Sequence, residues 1–372
     1  MTETTASAPT TNAAAFEVRP NVNALSDDAR AAALADLKFG TQFSDHMARA
    51  QWRQGEGWSD HRVEAYGPLQ LDPAAAVLHY AQEIFEGLKA YRWADGSIQL
   101  FRPEANAERF NKSAHRLALP QIPVEDFIGS IEALVAVDRA WVPDVEESSL
   151  YLRPFMFASE AFLGVRPAHV IDYLLIASPV GAYFPGGIKP VSIWVAQGYH
   201  RAGPGGTGDA KCGGNYAASL LPQQQAYENG CQQVLFLDAR ESRYLEELGG
   251  MNLYVVRSDG TIETPRLTGT ILEGITRYSV NQLLDDDGLK VIEKDITLDE
   301  VRDGIESGDI AEVFACGTAA VITPVGRLAS PTFDVTVGDG EPGEVTMRIR
   351  KRLTDIQYGR AEDVHGWMRR IG

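Results

Sequence analysis

Cysteine is scarce in this chain of 372 residues: Cys212, Cys231 and Cys316 are its whole complement, and no CxxC occurs. That excludes a disulfide framework and fits a reducing compartment. Positive charge is also in short supply, with 34 Lys and Arg against 51 Asp and Glu and a formal net charge of −17. A surface so acidic argues against nucleic acid as the main partner, because that affinity rests on neutralising phosphates with cations. Local basic pockets for small anions stay compatible with it. Long apolar runs are missing too. The uncharged stretch from Tyr173 to Ile188 is broken by Pro179, Gly181, Pro185, Gly186 and Gly187, so it is too short and too interrupted to cross a bilayer. The N-terminus has no cation before Arg19 and no apolar core, so no secretory signal is expected. These absences predict a cytoplasmic protein without membrane or nucleic-acid partners.

What is present is an ordinary globular composition, 44% hydrophobic and 23% charged. At about 150 residues per domain the length predicts two domains. Such a chain buries a sizeable core without disulfides or structural metal, and no metal site is expected. Residues 1–15 are small and polar and read as a mobile tail. A smaller N-terminal α/β domain is expected over 16–178, a Gly/Pro-rich linker over 179–190 and a larger C-terminal domain over 191–372.

Both hydrophobic periods occur along the chain. MARAQWR, VEAYGPLQL, SLYLRPFMF, VIDYLLIAS, VSIWVAQ, QVLFLD and IAEVFACG read as strands. Hairpins are expected around Asp95-Gly96 and Asp259-Gly260. Helices are expected at 78–88, 104–119, 124–140, 216–229, 275–284, 298–307 and 344–357. This is α+β or mixed α/β, and the repeated hairpins exclude an all-parallel sheet.

The strongest local signal is AGPGGTGDAKCGGNYAAS, in which six of the twelve residues from Gly203 to Gly214 are glycine. A nucleoside-triphosphate loop needs Ser or Thr after its lysine, and Cys212 follows Lys211 here. Gly203, Gly205 and Gly208 satisfy the dinucleotide pattern literally, but the expected helix starts too far past Gly208 for close packing. The third reading centres on Lys211, one of only eight lysines. Partial burial or nearby cations lower a lysine's pKa from about 10.4 and make it an imine-forming nucleophile. A loop lysine without chemistry remains the plain alternative.

Several segments bear together on that choice. HYAQEIFEGLKAY, YLRPFMF, GGTGDAKCGGNYAASL, EELGGMNLYVV, LTGTILEGITR and ACGTAAVITPV resemble, in order and rough spacing, the branched-chain amino-acid aminotransferases. The likeness spans nearly everything after the tail. It implies a two-domain fold-type IV enzyme with pyridoxal 5′-phosphate at the domain interface, and a homodimer. The implied reaction interconverts leucine, isoleucine and valine with their 2-oxo acids, against glutamate and 2-oxoglutarate, in ping-pong order.

Carried over position by position, the resemblance makes Lys211 the catalytic lysine that holds the cofactor and moves the proton. Glu247 matches the acid beside the pyridine nitrogen, although Glu241, Glu246 and Glu247 read locally as a solvated acidic stretch. Tyr216 matches a ring-oxygen contact. Arg109, Leu267, Gly274, Ile275, Thr276 and Thr318 complete the cofactor set, with GITR opening a helix whose free N–H groups favour phosphate. Phe85, Tyr80, Tyr151 and Arg153 match the substrate pocket, with Arg153 able to engage the glutamate side-chain carboxylate in a two-pronged contact. The amides of Thr318 and Ala319 match the α-carboxylate site. Taken singly, each aromatic reads equally well as core packing.

Where some members carry a CxxC redox pair after the Gly-Thr-Ala turn, this chain has Ala320 and Thr323. That switch is therefore expected to be absent, with Cys316 in the core. The rival functions are a D-amino-acid aminotransferase or aminodeoxychorismate lyase of the same fold, a dinucleotide-dependent dehydrogenase, and a metabolite-binding protein without chemistry. YLRP and HYAQEIFEG weigh against the first two.

Overall fold

In the computed structural model, which describes residues 14–181 and 188–372, two nine-stranded sheets carry the architecture. The first runs Glu17–Val18, Gly57–Ala65, His46–Arg53, Val170–Val180, Ser149–Ala158, Leu88–Arg92, Ile98–Phe101 and Met368–Ile371, with Glu83–Phe85 paired to Ser149–Ala158. The second runs Leu245–Leu248, Gln233–Leu237, Val191–Val195, Val321–Ala329, Ile310–Gly317, Asn252–Arg257, Ile262–Pro265 and Val291–Lys294, with Asp334–Thr336 paired to Val321–Ala329. The chain begins the second sheet at Val191, yet its last strand returns to the first, pairing Met368 with Phe101 and Ile371 with Ile98. The 191–372 unit read from sequence therefore does not hold together as one sheet. Edge pairing, which the short MRRI segment does not advertise, decides where it goes.

Both Asp-Gly turns form as the sequence implies. Asp95 Oδ1 accepts from the Ser97 amide at 2.9 Å and Asp259 Oδ1 from the Thr261 amide at 2.8 Å. Gly96 and Gly260 take the positive φ that such turns require. On the first sheet lie helices Pro103–Arg116 and Val124–Val137, whose Phe110 and Phe127 pack on Tyr173 at 5.9 and 6.3 Å between ring centroids. A third cluster joins the halves: Tyr91 and Phe101 of the first sheet pack with Tyr254 and Phe314 of the second and with Ile349 and Leu353 of helix Glu344–Gln357. The floor between the sheets is thus continuous and apolar.

Several boundaries differ from expectation. The 78–88 helix is a single turn, Val77–Tyr80, ended by Ala81 at φ 48°. Glu83–Phe85 and Leu88–Arg92 then run as strands on Ser149–Ala158, because sheet pairing outweighs a helical apolar period. The strand expected over 63–71 ends at Ala65, ahead of Gly67-Pro68. Helix 104–119 stops at Arg116, with Ala118 left-handed, and 124–140 stops at Val137 before a 3₁₀ turn, Arg139–Trp141. The 216–229 helix is two pieces, Gly213–Ala217 and Leu220–Glu228. Pro179 still belongs to a strand, opposite Leu150, while residues 182–187 of the expected linker, like 1–13 of the tail, lie outside the described residues. No helix among the described residues is long and apolar enough to cross a membrane.

Candidate active site

Between the sheets lies a cavity of about 200 Å³ that brings together Phe85, Arg109, Tyr151, Arg153, Lys211, Tyr216, Glu247, Gly274, Ile275, Thr276, Thr318 and Ala319. Lys211 ends the glycine-rich loop. Its amide donates to Ser113 Oγ and its carbonyl accepts from the Phe85 amide, both at 2.9 Å. Arg201 and Arg116 clamp the loop through the carbonyls of Gly208, Gly205 and Gly206. A Cβ on Gly208 would fall 2.4 Å from the Thr270 carbonyl, so glycine is needed there for close approach rather than for flexibility. Lys211 Nζ donates to the Tyr216 hydroxyl at 2.7 Å and stands 4.8 Å above the Phe85 ring.

Glu247 lies on the strand Leu245–Leu248 and is 3% exposed, which corrects the solvated acidic reading. Its Oε1 accepts from Arg201 and from the Leu272 amide, the latter at 2.7 Å. Burial raises its carboxyl above the ordinary range, and Arg201 holds the rise in check. A carboxylate so placed is a strong acceptor for a ring N–H.

A phosphate-sized anion has two partners in the same cavity. Helix Ile275–Asp286 starts at Gly274 with no side-chain cap, so its first N–H groups are free to meet an anion. Arg109 is held by Glu86 in a two-pronged contact at 2.7 and 2.9 Å, and its Nη1 donates to the Glu273 carbonyl at 3.0 Å. Of five guanidinium N–H donors, these bonds use three. Burial alone would raise Glu86, but Arg109, helped by Lys211 and Asn106, brings it below the usual range. A Cβ on Gly274 would collide with the side-chain amide of Asn252, which donates to the Leu272 carbonyl at 3.1 Å. Lysine, buried acid, uncapped helix and spare arginine donors together fit pyridoxal 5′-phosphate.

The other end of the cavity is built on Ser149–Ala158 and on the turn after Ile310–Gly317. Arg153 lies over the rings of Phe85 and Tyr151 at 4.8 and 5.3 Å and donates to the Tyr151 hydroxyl at 3.0 Å. Its Nε is buried with no partner among the described residues, which leaves a donor for an incoming carboxylate. The Thr318–Ala319 turn is tied from below by Lys89, whose Nζ donates to the Ala319 carbonyl at 2.9 Å.

Lys89 allows a pH test. Burial first, then Arg350, push its ammonium down to about 8 against the pull of Glu147. The unfolded chain keeps that proton to about 10.4. Between these values the unfolded state binds more protons, so folding stability grows as pH rises and is lost as pH falls back through 8. The unfolding free energy of wild type minus that of Lys89→Met is expected to rise by on the order of 3 kcal/mol from about pH 7.5 to about pH 10.5. A flat difference across that range would show that no such ammonium is buried.

Two expected residues do not line this cavity. Tyr80 sits at the end of its one-turn helix, exposed, and its hydroxyl donates to the Leu163 carbonyl, because Ala81 reverses the chain before the pocket strand begins. Leu267 lines an adjoining open hollow that shares Arg109, Gly274 and Ile275 with the cavity. Sequence reasoning missed Phe39, which lines the cavity and meets Tyr151 edge-on at 5.1 Å. It also missed Glu86, Arg201 and Lys89. Only Glu86 and Lys89 had a signal, being charged residues inside the apolar FEGLKAY. Cys316 packs in the core beside the cavity, as expected, and its thiol is pushed up to about 12 by burial.

The amino-transferase class IV model matches residues 83–328, and the chain belongs to that family. It is similar to the branched-chain-amino-acid aminotransferase of Mycolicibacterium smegmatis, 56% identical over 96% of this chain and 98% of that one. Branched-chain-amino-acid aminotransferase 2 of Bacillus subtilis is 48% identical, over 89% and 91%. Within the family, then, the chain falls with the branched-chain-amino-acid aminotransferases and is an enzyme. The solved structure of the Escherichia coli branched-chain amino acid aminotransferase superposes with a TM-score of 0.72 at 29% identity, over 87% of this chain and 100% of that one. A T.th. branched-chain amino acid aminotransferase, solved with pyridoxamine 5′-phosphate, gives 0.72 at 28% over 87% and 99%.

Proposed function

We propose that the cavity holds pyridoxal 5′-phosphate and moves the amino group of L-leucine, L-isoleucine or L-valine to 2-oxoglutarate, and back, by a ping-pong route. The observation that carries this reading is the meeting of Lys211 Nζ, the Tyr216 hydroxyl and buried Glu247 in one cavity. When bound, the cofactor supplies an electrophilic carbonyl carbon and a ring that accepts electrons. Lys211 Nζ takes up and returns the proton of the substrate α-carbon. The Tyr216 hydroxyl holds that nitrogen in position. Glu247 holds the ring N–H, and Arg201 keeps the carboxylate oriented. Arg109 and the amides of Ile275 and Thr276 grip the phosphate. The Thr318 and Ala319 amides orient the α-carboxylate. Phe85, Phe39 and Tyr151 give aliphatic side chains a dry surface, and Arg153 meets the second carboxylate of glutamate.

We read the protein further as a cytoplasmic homodimer, on its acidic, cysteine-poor composition and on the family likeness. One lobe is residues 16–180 with the returning strand Met368–Ile371, and the other runs from Val191 up to that strand.

Purified protein given L-leucine and 2-oxoglutarate is expected to form glutamate, and to form no pyruvate from D-alanine. Exchange with D-alanine alone would overturn the substrate assignment. Arg153→Leu is expected to raise KM for 2-oxoglutarate by about 10- to 100-fold, the worth of a charge-assisted contact. KM for leucine is expected to change by less than about threefold, since uniform loss would mean general damage.

A further inference from the structure

Behind the strand that carries Glu247 lies a second cavity, of about 310 Å³, lined by Pro204, Leu245, Glu246, Pro265, Ile271 and Arg240 among others. Its wall is well braced. Asp238 accepts from the amides of Arg240, Glu241, Arg243 and Tyr244 at 2.8 to 3.0 Å. Arg266 is spent in a two-pronged contact with Asp295, and Lys294 on Glu300 and Glu263. Glu246 is 5% exposed, and one of its carboxylate oxygens, Oε2, has no hydrogen-bond partner among the described residues. A buried, unpartnered carboxylate oxygen is costly and calls for a donor. Arg240 is exposed and forms no ion pair among the described residues, and Glu241 stands beside it at the mouth. The cavity thus combines an acid in its floor, a cation at its rim and aliphatic walls from Leu245, Ile271, Pro204 and Pro265.

We infer that this cavity is a second binding site for an aliphatic amino acid, its ammonium on Glu246 and its carboxylate on Arg240. Burial raises the Glu246 carboxyl above its ordinary range, and a bound ammonium would draw it back down. The site also touches the catalytic one. Glu246 Oε1 accepts from the Thr270 hydroxyl, the Thr270 carbonyl accepts from Arg201 at 3.0 Å, and Arg201 pairs with Glu247. An amino acid here reaches the acid assigned to the ring nitrogen through Glu246, the hydroxyl and backbone carbonyl of Thr270, and Arg201.

The experiment uses holoenzyme reduced with borohydride, which seals Lys211 to the cofactor and blocks covalent capture of amino acids at the first site. L-leucine is titrated in by calorimetry. One saturable equivalent of binding is expected, at least about tenfold weaker in Glu246→Gln and in Arg240→Ala. No saturable heat, or binding that neither substitution weakens, would overturn the inference. So would equally tight binding of 4-methylvaleric acid, which lacks the ammonium. Should Glu246→Gln not fold, the exposed Arg240→Ala decides alone. The link to the ring nitrogen and the borohydride step rest on the function proposed above, while the cavity itself does not. A protein with no visible band to bleach would fail that reading before any calorimetry, while leaving the cavity testable.

Discussion

Lys211→Ala is expected to lose at least about 10³-fold in turnover, the span that a positioned proton carrier and covalent anchor together supply. The fold should survive. The backbone amide and carbonyl of residue 211 keep their bonds to Ser113 and Phe85, while Nζ loses its contacts with the Tyr216 hydroxyl and ring and the Phe85 ring, and its charge no longer acts on Glu86 and Glu247. Single-turnover kinetics with the cofactor added in excess, beside a thermal unfolding scan, separates chemistry from folding. A native rate in this variant would remove Lys211 from the mechanism, whatever the family likeness.

Glu247→Gln has the second largest expected effect, and it moves two readouts. Turnover falls by about 10² to 10³, the usual cost of removing one pre-set charge partner from a buried reacting group. Stability falls as well, by roughly 3 kcal/mol, because Arg201 keeps its charge in a dry site after its counter-ion has gone. Arg201 is nearly fully buried, and its remaining acceptors are the carbonyls of Gly208 and Thr270. Glu247→Asp, which keeps the charge, should recover much of the stability and little of the rate. Rate and stability both unchanged in Glu247→Gln would point to Glu246 as the acting acid instead.

Local signals made the hairpins and several helices legible. Asp-Gly pairs set both turns, and helix Leu298–Ser307 matches its reading residue for residue, capped by Thr297 and closed by Gly308. Leu78 to Leu88 misled because its apolar spacing fits a helix, while the partner that pulls it into a sheet lies well down the chain, at Ser149–Ala158. The acidic run misled for a different reason. Strand Leu245–Leu248 alternates its two acids between separate cavities, Glu246 in one and Glu247 in the other, so neither faces open solvent. The candidate site residues were proposed only through the motif set. Their supports were not, since Arg201 meets Glu247 across 46 positions and Lys89 meets Ala319 across 230. Contacts of that reach leave no local pattern.

The returning strand Met368–Ile371 has a practical side. It lies against Ile98–Phe101, directly before the helix that bears Arg109, and Arg369 ties it to Glu104 and Glu132. Until Met368–Ile371 is in place, the strand Ile98–Phe101 keeps an open edge. Deleting Met368–Ile371 would therefore bare an edge that leads straight into the helix bearing Arg109.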